Sequence, residues 1–176
     1  MPEVQSLAKE QQKMKPQIED IINELLESER RQHALDFVAW LRGNKLTPRW
    51  TATNAWGVKY KGKNLISIRI GDSAPGSVHY GLNSGSWHIG HWYLDYFLDN
   101  FADAFEPLAS CEIFKAFVWS NVQYCKGCMG CRPGASAIFF GKQFDFICNY
   151  RIENPDVNGL KYAKQLIECK KKVFVL

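Results

Sequence analysis

The run Cys125-Lys126-Gly127-Cys128-Met129-Gly130-Cys131 constrains this chain more than any other stretch. Each C-x2-C step puts two sulfurs on one tight turn, the arrangement thiolates need to converge at about 2.3 Å on a single metal ion. Gly127, Gly130 and Gly134 allow the close backbone approach that such a loop requires. A fourth thiol follows at Cys148, after two β-like runs at 137–140 and 143–147 around Gly141-Lys142. If those runs form a hairpin, Cys148 returns to the end where the loop begins. The expected ligand set is therefore Cys125, Cys128, Cys131 and Cys148. From Asn121 to Phe144 the sequence carries Lys126, Arg132 and Lys142 and no acid, cations that would offset the negative charge of clustered thiolates.

Two metals suit such a set. A C-x2-C-x2-C run with a distant fourth cysteine also holds iron–sulfur clusters in bacterial ferredoxins. Here Cys131 leads into Arg132-Pro133-Gly134 instead of the ferredoxin continuation, and no second cluster motif follows. Structural zinc is the favoured reading and a 4Fe-4S cluster the alternative, although zinc sites more often use two separate C-x2-C knuckles. Idle thiols or disulfides are the competing readings. Clustered free thiols are an oxidation liability, and disulfides are rare in a reducing compartment.

The rest of the composition describes an ordinary globular chain. Its 176 residues suit one domain, 1–176, with 46% hydrophobic and 23% charged residues. A net charge of +4 is too mild to point to nucleic acid. No apolar run nears the ~20 residues of a membrane span, and the N-terminal stretch is too polar for a signal peptide. A cytoplasmic location is expected.

Periodicity divides the chain into elements. Residues 1–15 show no apolar face and read as a frayed, disordered arm. Ile18, Ile21, Ile22 and Leu25 recur at helical spacing; Leu35, Val38 and Leu41 do so out of phase, so two helices are predicted, near 17–27 and 29–42, ended by Gly43. Trp50, Trp56, Val58 and Tyr60 lead into a Lys61-Gly62-Lys63-Asn64 turn, and Leu65, Ile66, Ile68 and Ile70 leave it, a hairpin pattern. Strands are expected at 77–82 and 87–89, and a helix near 91–103 burying Leu94, Phe97, Leu98 and Phe101. Another helix is capped by Ser110 with Ile113, Phe114, Phe117 and Val118 inward. A last helix starts at Asn154-Pro155 and runs to the lysines at 170–172. The fold class is α+β: a small antiparallel sheet with N-terminal helices, two middle helices, and a C-terminal unit of metal loop, hairpin and helix within 106–176.

The stretch Trp56-Gly57-Val58-Lys59-Tyr60-Lys61-Gly62-Lys63-Asn64-Leu65-Ile66, following N-terminal helices, resembles the small α+β domains of the YdhG/YjbR type. The resemblance spans residues 17–105, implies the fold class, and carries no functional residue across.

A second unusual stretch is Gly85-Ser86-Trp87-His88-Ile89-Gly90-His91-Trp92-Tyr93. With His79 and Asp95 nearby, a His/His/carboxylate metal site is conceivable, as is a ligand pocket at Trp87, His88, His91 and Trp92. The competing reading is packed core. Asp95, Asp99 and Asp103 repeat at i, i+4, i+8, either a solvated face or a docking surface for a basic partner or for the chain's own Lys170–Lys172. Cys111 and Cys169 read as buried thiols. Phosphate-loop, dinucleotide, nucleophile-elbow and zincin motifs are absent from the sequence. The functional expectation is a non-enzymatic, metal-stabilised module binding a small molecule or protein. An iron–sulfur redox protein and an enzyme using His88 or His91 are the alternatives.

Overall fold

The computed structural model of the chain describes residues 2–71, 85–91, 93–124 and 135–175. It begins with helices α1 (Pro2–Met14), α2 (Ile18–Leu25) and α3 (Ser28–Gly43), followed by strands β1 (Arg49–Ala52), β2 (Ala55–Tyr60), β3 (Lys63–Ile70) and β4 (Trp87–Gly90). Helices α4 (Leu94–Asn100), α5 (Ala102–Ala109) and α6 (Glu112–Ser120) come next. Strands β5 (Val122–Tyr124), β6 (Ala135–Phe139) and β7 (Lys142–Glu153) and helix α7 (Val157–Val173) complete the chain. The class is α+β, with the N-terminal helices in place. The expected strand at 77–82 lies outside the described residues.

Among the described residues the sheet has seven strands, ordered β1-β2-β3-β4-β7-β5, with β6 also paired to β7 and every pairing antiparallel. Two of its turns follow from local chemistry. Lys61 and Gly62 have φ of 48° and 79°, and Phe140 and Gly141 have 48° and 78°, a left-handed pair that turns a hairpin with the twist its strands require. The second turn therefore sits one residue earlier than the expected Gly141-Lys142. Alternation along the strands sends Trp56, Val58, Ile66, Ile68, Ile70, Trp87, Ile89 and Ile152 into the core, where Phe37, Leu41, Phe105, Phe114, Leu166 and Ile167 of the helices join them.

Several expectations need correction. The helix expected over 91–103 is broken at Phe101 (φ −138°), so Asp103 leaves the face of Asp95 and Asp99 and belongs to α5. The Ser110 hydroxyl donates back to the Pro107 carbonyl, and Cys111, not Ser110, stands at the start of α6. Ile113 is 72% exposed, and Cys111 is exposed as well. Lys170 does not meet the acidic helix as a surface cation; it is 0% exposed.

The N-terminal arm also differs from expectation, because it docks through a polar side chain that hydrophobic periodicity does not register. Gln11 is buried: its Nε2 donates to Asn54 Oδ1 (2.6 Å) while its Oε1 accepts from the Asn54 backbone N–H (2.8 Å) and from Trp50 Nε1 (3.3 Å). Gln11→Ala removes these three hydrogen bonds to Asn54 and Trp50, at a cost of about 1–3 kcal/mol. A urea midpoint identical to that of the parent protein would show that the arm contributes nothing.

Candidate metal centre

Cys125, Cys128 and Cys131 lie outside the described residues, but both strands that flank them are described. Strand β5 ends at Tyr124, which pairs with Ile147, and β6 begins at Ala135, which also pairs with Ile147. One residue cannot oppose two strands on the same edge, so β5 and β6 run along opposite edges of β7 and both ends of the cysteine segment flank Ile147. Cys148 is the next residue.

The register explains how Cys148 is presented. Gln123 opposes Asn149 and Tyr124 opposes Ile147, which leaves Cys148 as the extra residue of a β-bulge. A second irregularity follows on the other edge between Ala135 and Ala137, where Phe146 takes a φ of 57°. Bulges re-aim side chains and end the strict alternation of a strand. Ile147 remains buried while Cys148 is exposed beside it. An exposed thiol next to both ends of a three-cysteine segment fits the donor chemistry of a four-thiolate site. Tyr124 (60%) and Phe146 (67%), beside it in register and in sequence, are exposed as well.

One expected neighbour does not belong there. Lys142 pairs with Phe139 at the turn end of the hairpin, five residues along β7 from Ile147 or roughly 16 Å at the strand rise. Its ammonium lies over the rings of Trp119 and Phe144, each 5.1 Å from the centroid. Lys126 and Arg132 lie outside the described residues.

The histidine–tryptophan stretch is divided by its own strand. Trp87, His88, Ile89 and Gly90 form β4, so His88 and His91, three apart, point to opposite faces. His88 sits across from Arg69 and shares the polar face with Arg151; burial, followed by the charges of Arg151 and Arg69, lowers its pKa to about 3. His91 lies on the core face with its ring 5.9 Å from that of Tyr150, and burial plus the nearby Lys170 hold it well below the ordinary imidazole value. The two imidazoles are not brought together. Trp87 is 0% exposed and its ring lies 6.2 Å from that of Phe37, in the core. Trp92 and His79 lie outside the described residues. Among the described residues no group of three His, Cys, Asp or Glu is placed to hold a metal.

Periodicity carries a signal for the burial of Lys170. The residue falls in phase with Ala163, Leu166, Ile167 and Val173 on the buried stripe of α7. Its Nζ donates to the Leu65 carbonyl at 2.6 Å. Leu65 is itself a bulge residue, since Ile66 opposes Val58 and Asn64 opposes Lys59, so the lysine serves a carbonyl that the ladder passes over.

No protein-family model, curated protein or solved structure matches this chain. Among the described residues no helix is long and apolar enough to cross a membrane.

Proposed function

We propose that the chain is a four-cysteine metal-binding protein in which Cys125, Cys128, Cys131 and Cys148 hold one structural zinc ion, and that it acts as a non-enzymatic binding module in a reducing compartment. The observation that carries this reading is the pairing of Tyr124 and Ala135 with the same residue, Ile147, immediately before the bulged Cys148. Ten residues connect strands that lie roughly 10 Å apart across β7, which leaves ample chain for two C-x2-C turns to meet the fourth thiol. The exposed aromatic residues Tyr124 and Phe146, whose chain positions flank Ile147 and Cys148, support a binding role beside the site. A bound zinc would supply cross-linking of β5, β6 and β7.

Elemental analysis of protein purified without a histidine tag tests the reading: one zinc per chain is expected. A brown protein with iron and sulfide would assign the set to a cluster instead, and a metal-free, fully folded protein would refute both. Timed alkylation read by mass spectrometry adds residue resolution. Cys125, Cys128, Cys131 and Cys148 are expected to be shielded together and released together by a chelator, because coordination engages the thiolate lone pairs. Cys111, which is exposed, should label at once with or without chelator, whereas Cys169, buried and with its thiol pKa raised by that burial, should stay slow. Independent labelling of Cys148 would remove it from the ligand set.

A further inference from the structure

His91 is 2% exposed, and neither of its ring nitrogens finds a hydrogen-bond partner among the described residues. Lys170, whose charge acts on that imidazole, is 0% exposed, with its ammonium 4.8 Å from the centre of the Phe97 ring. Phe97 also meets Phe174 at 5.3 Å, so α4, which begins three residues after His91, packs against the end of α7. We propose that this junction is an acid-operated latch, in which protonation of His91 detaches α4 and the last turn of α7 from the sheet.

The surroundings set the direction. From β7 the facing group is the buried Tyr150 phenol, and from β3 it is the Leu65 carbonyl held by Lys170. Helix α4 presents Phe97, with Asp99 exposed and Asp95 only partly buried; Asp103 and Glu106 of α5 are exposed. On α7, Lys171 is paired with Glu168 and lies over Tyr60, while Lys164 of the same helix covers Trp40 of α3. Lys63 of β3 adds another cation, over Phe174. A proton on His91 thus meets the Lys170 ammonium and apolar rings, and the closed junction must exclude it. Once open, the imidazole regains water and its ordinary pKa near 6.5. Helix α4 is loosely founded for such a movement, since it starts at Tyr93 in the left-handed region (φ 54°) with no side-chain cap.

Hydrogen exchange at pH 7.5 and pH 5, corrected for the intrinsic pH effect, reads the latch directly. The opening constant of residues 94–100 and 170–173 is expected to rise about thirtyfold more than that of residues 34–41, the factor for one group held neutral at a pH about 1.5 below its free pKa. His91→Leu should abolish the difference, while His88→Gln, on the opposite face, should leave it in place. A uniform change across the fold in the parent protein, or an undiminished regional difference in His91→Leu, overturns the proposal. If His91→Leu does not fold, the parent and His88→Gln decide: a difference confined to α4 and α7 in both supports the latch, and a difference lost in His88→Gln refutes it.

Discussion

Removing the proposed zinc, or replacing Cys128 with Ser, is expected to lower stability by several kcal/mol and to strip hydrogen-exchange protection from residues 122–124 and 135–150 while leaving 55–70 protected. The division follows from how β7 is shared. Its last residues, Arg151–Glu153, pair with β4 inside the main sheet, whereas among the described residues the stretch from Lys142 to Asn149 pairs with the short strands β5 and β6 alone. Val122–Tyr124 is a three-residue strand and Ala135–Phe139 a five-residue one with an irregular register. Strands that short are marginal without a further tie. Besides packing, the indole of Trp119 anchors them, donating to the Phe139 carbonyl at 2.7 Å.

A metal joining the segment between β5 and β6 to Cys148 would close that end of the subdomain. Apparent zinc affinities of about 10–16 kcal/mol in small folding-on-binding sites show how much of such binding energy can become folding energy. Part of it is retained when one ligand of four is lost, so the expected effect of Cys128→Ser is smaller than that of full chelation. Equal melting temperatures for the parent, the chelated protein and Cys128→Ser would eliminate the structural role.

Much of the fold was legible because its signals are local. Two helices out of phase at Ile18–Leu25 and Ser28–Gly43, the Lys61-Gly62 turn and the hairpin leading to Cys148 all rest on periodicity and turn chemistry within a few residues. What was hidden depends on distant partners. Gln11 docks on Asn54, 43 residues away, and Lys170 on the carbonyl of Leu65, 105 residues away; neither a glutamine nor a lysine signals burial by its type. The break at Phe101 escaped for the opposite reason: apolar residues continue in helical phase through it, so the pattern cannot show where one helix stops. At the candidate site, the fourth cysteine could be proposed from the hairpin, but the bulge that exposes it is a property of the β5–β7 register. The separation of His88 from His91 was within reach, since a spacing of three on a strand means opposite faces.

Acidification provides the second large effect. Between pH 7.5 and pH 5 the protein is expected to lose about 2 kcal/mol of stability through His88, with His91 adding to the loss, a substantial share of the 5–15 kcal/mol typical of a folded domain. Both are bases whose folded pKa is depressed, to about 3 for His88 and well below the ordinary value for His91. The unfolded chain therefore binds more protons than the native one as soon as pH falls below about 6.5, and stability drops with pH from there. At pH 5 keeping His88 neutral costs about 2 kcal/mol. Lys170 extends the same slope on the alkaline side: burial lowers its pKa to about 7 from 10.5, so its contribution to stability grows as pH rises from about 7 to about 10.5 and is flat below that window. Glu19, whose pKa is lowered by its hydrogen bond to Arg42, acts only below the ordinary carboxylate range and leaves the range above pH 5 to the histidines. Urea denaturation across pH 5 to 10 should thus show stability rising in two steps, one below pH 6.5 and one above pH 7. His88→Gln with His91→Leu should flatten the first step and Lys170→Met the second. A parent protein equally stable at pH 5 and pH 7.5 would mean that these imidazoles take up protons without leaving the fold.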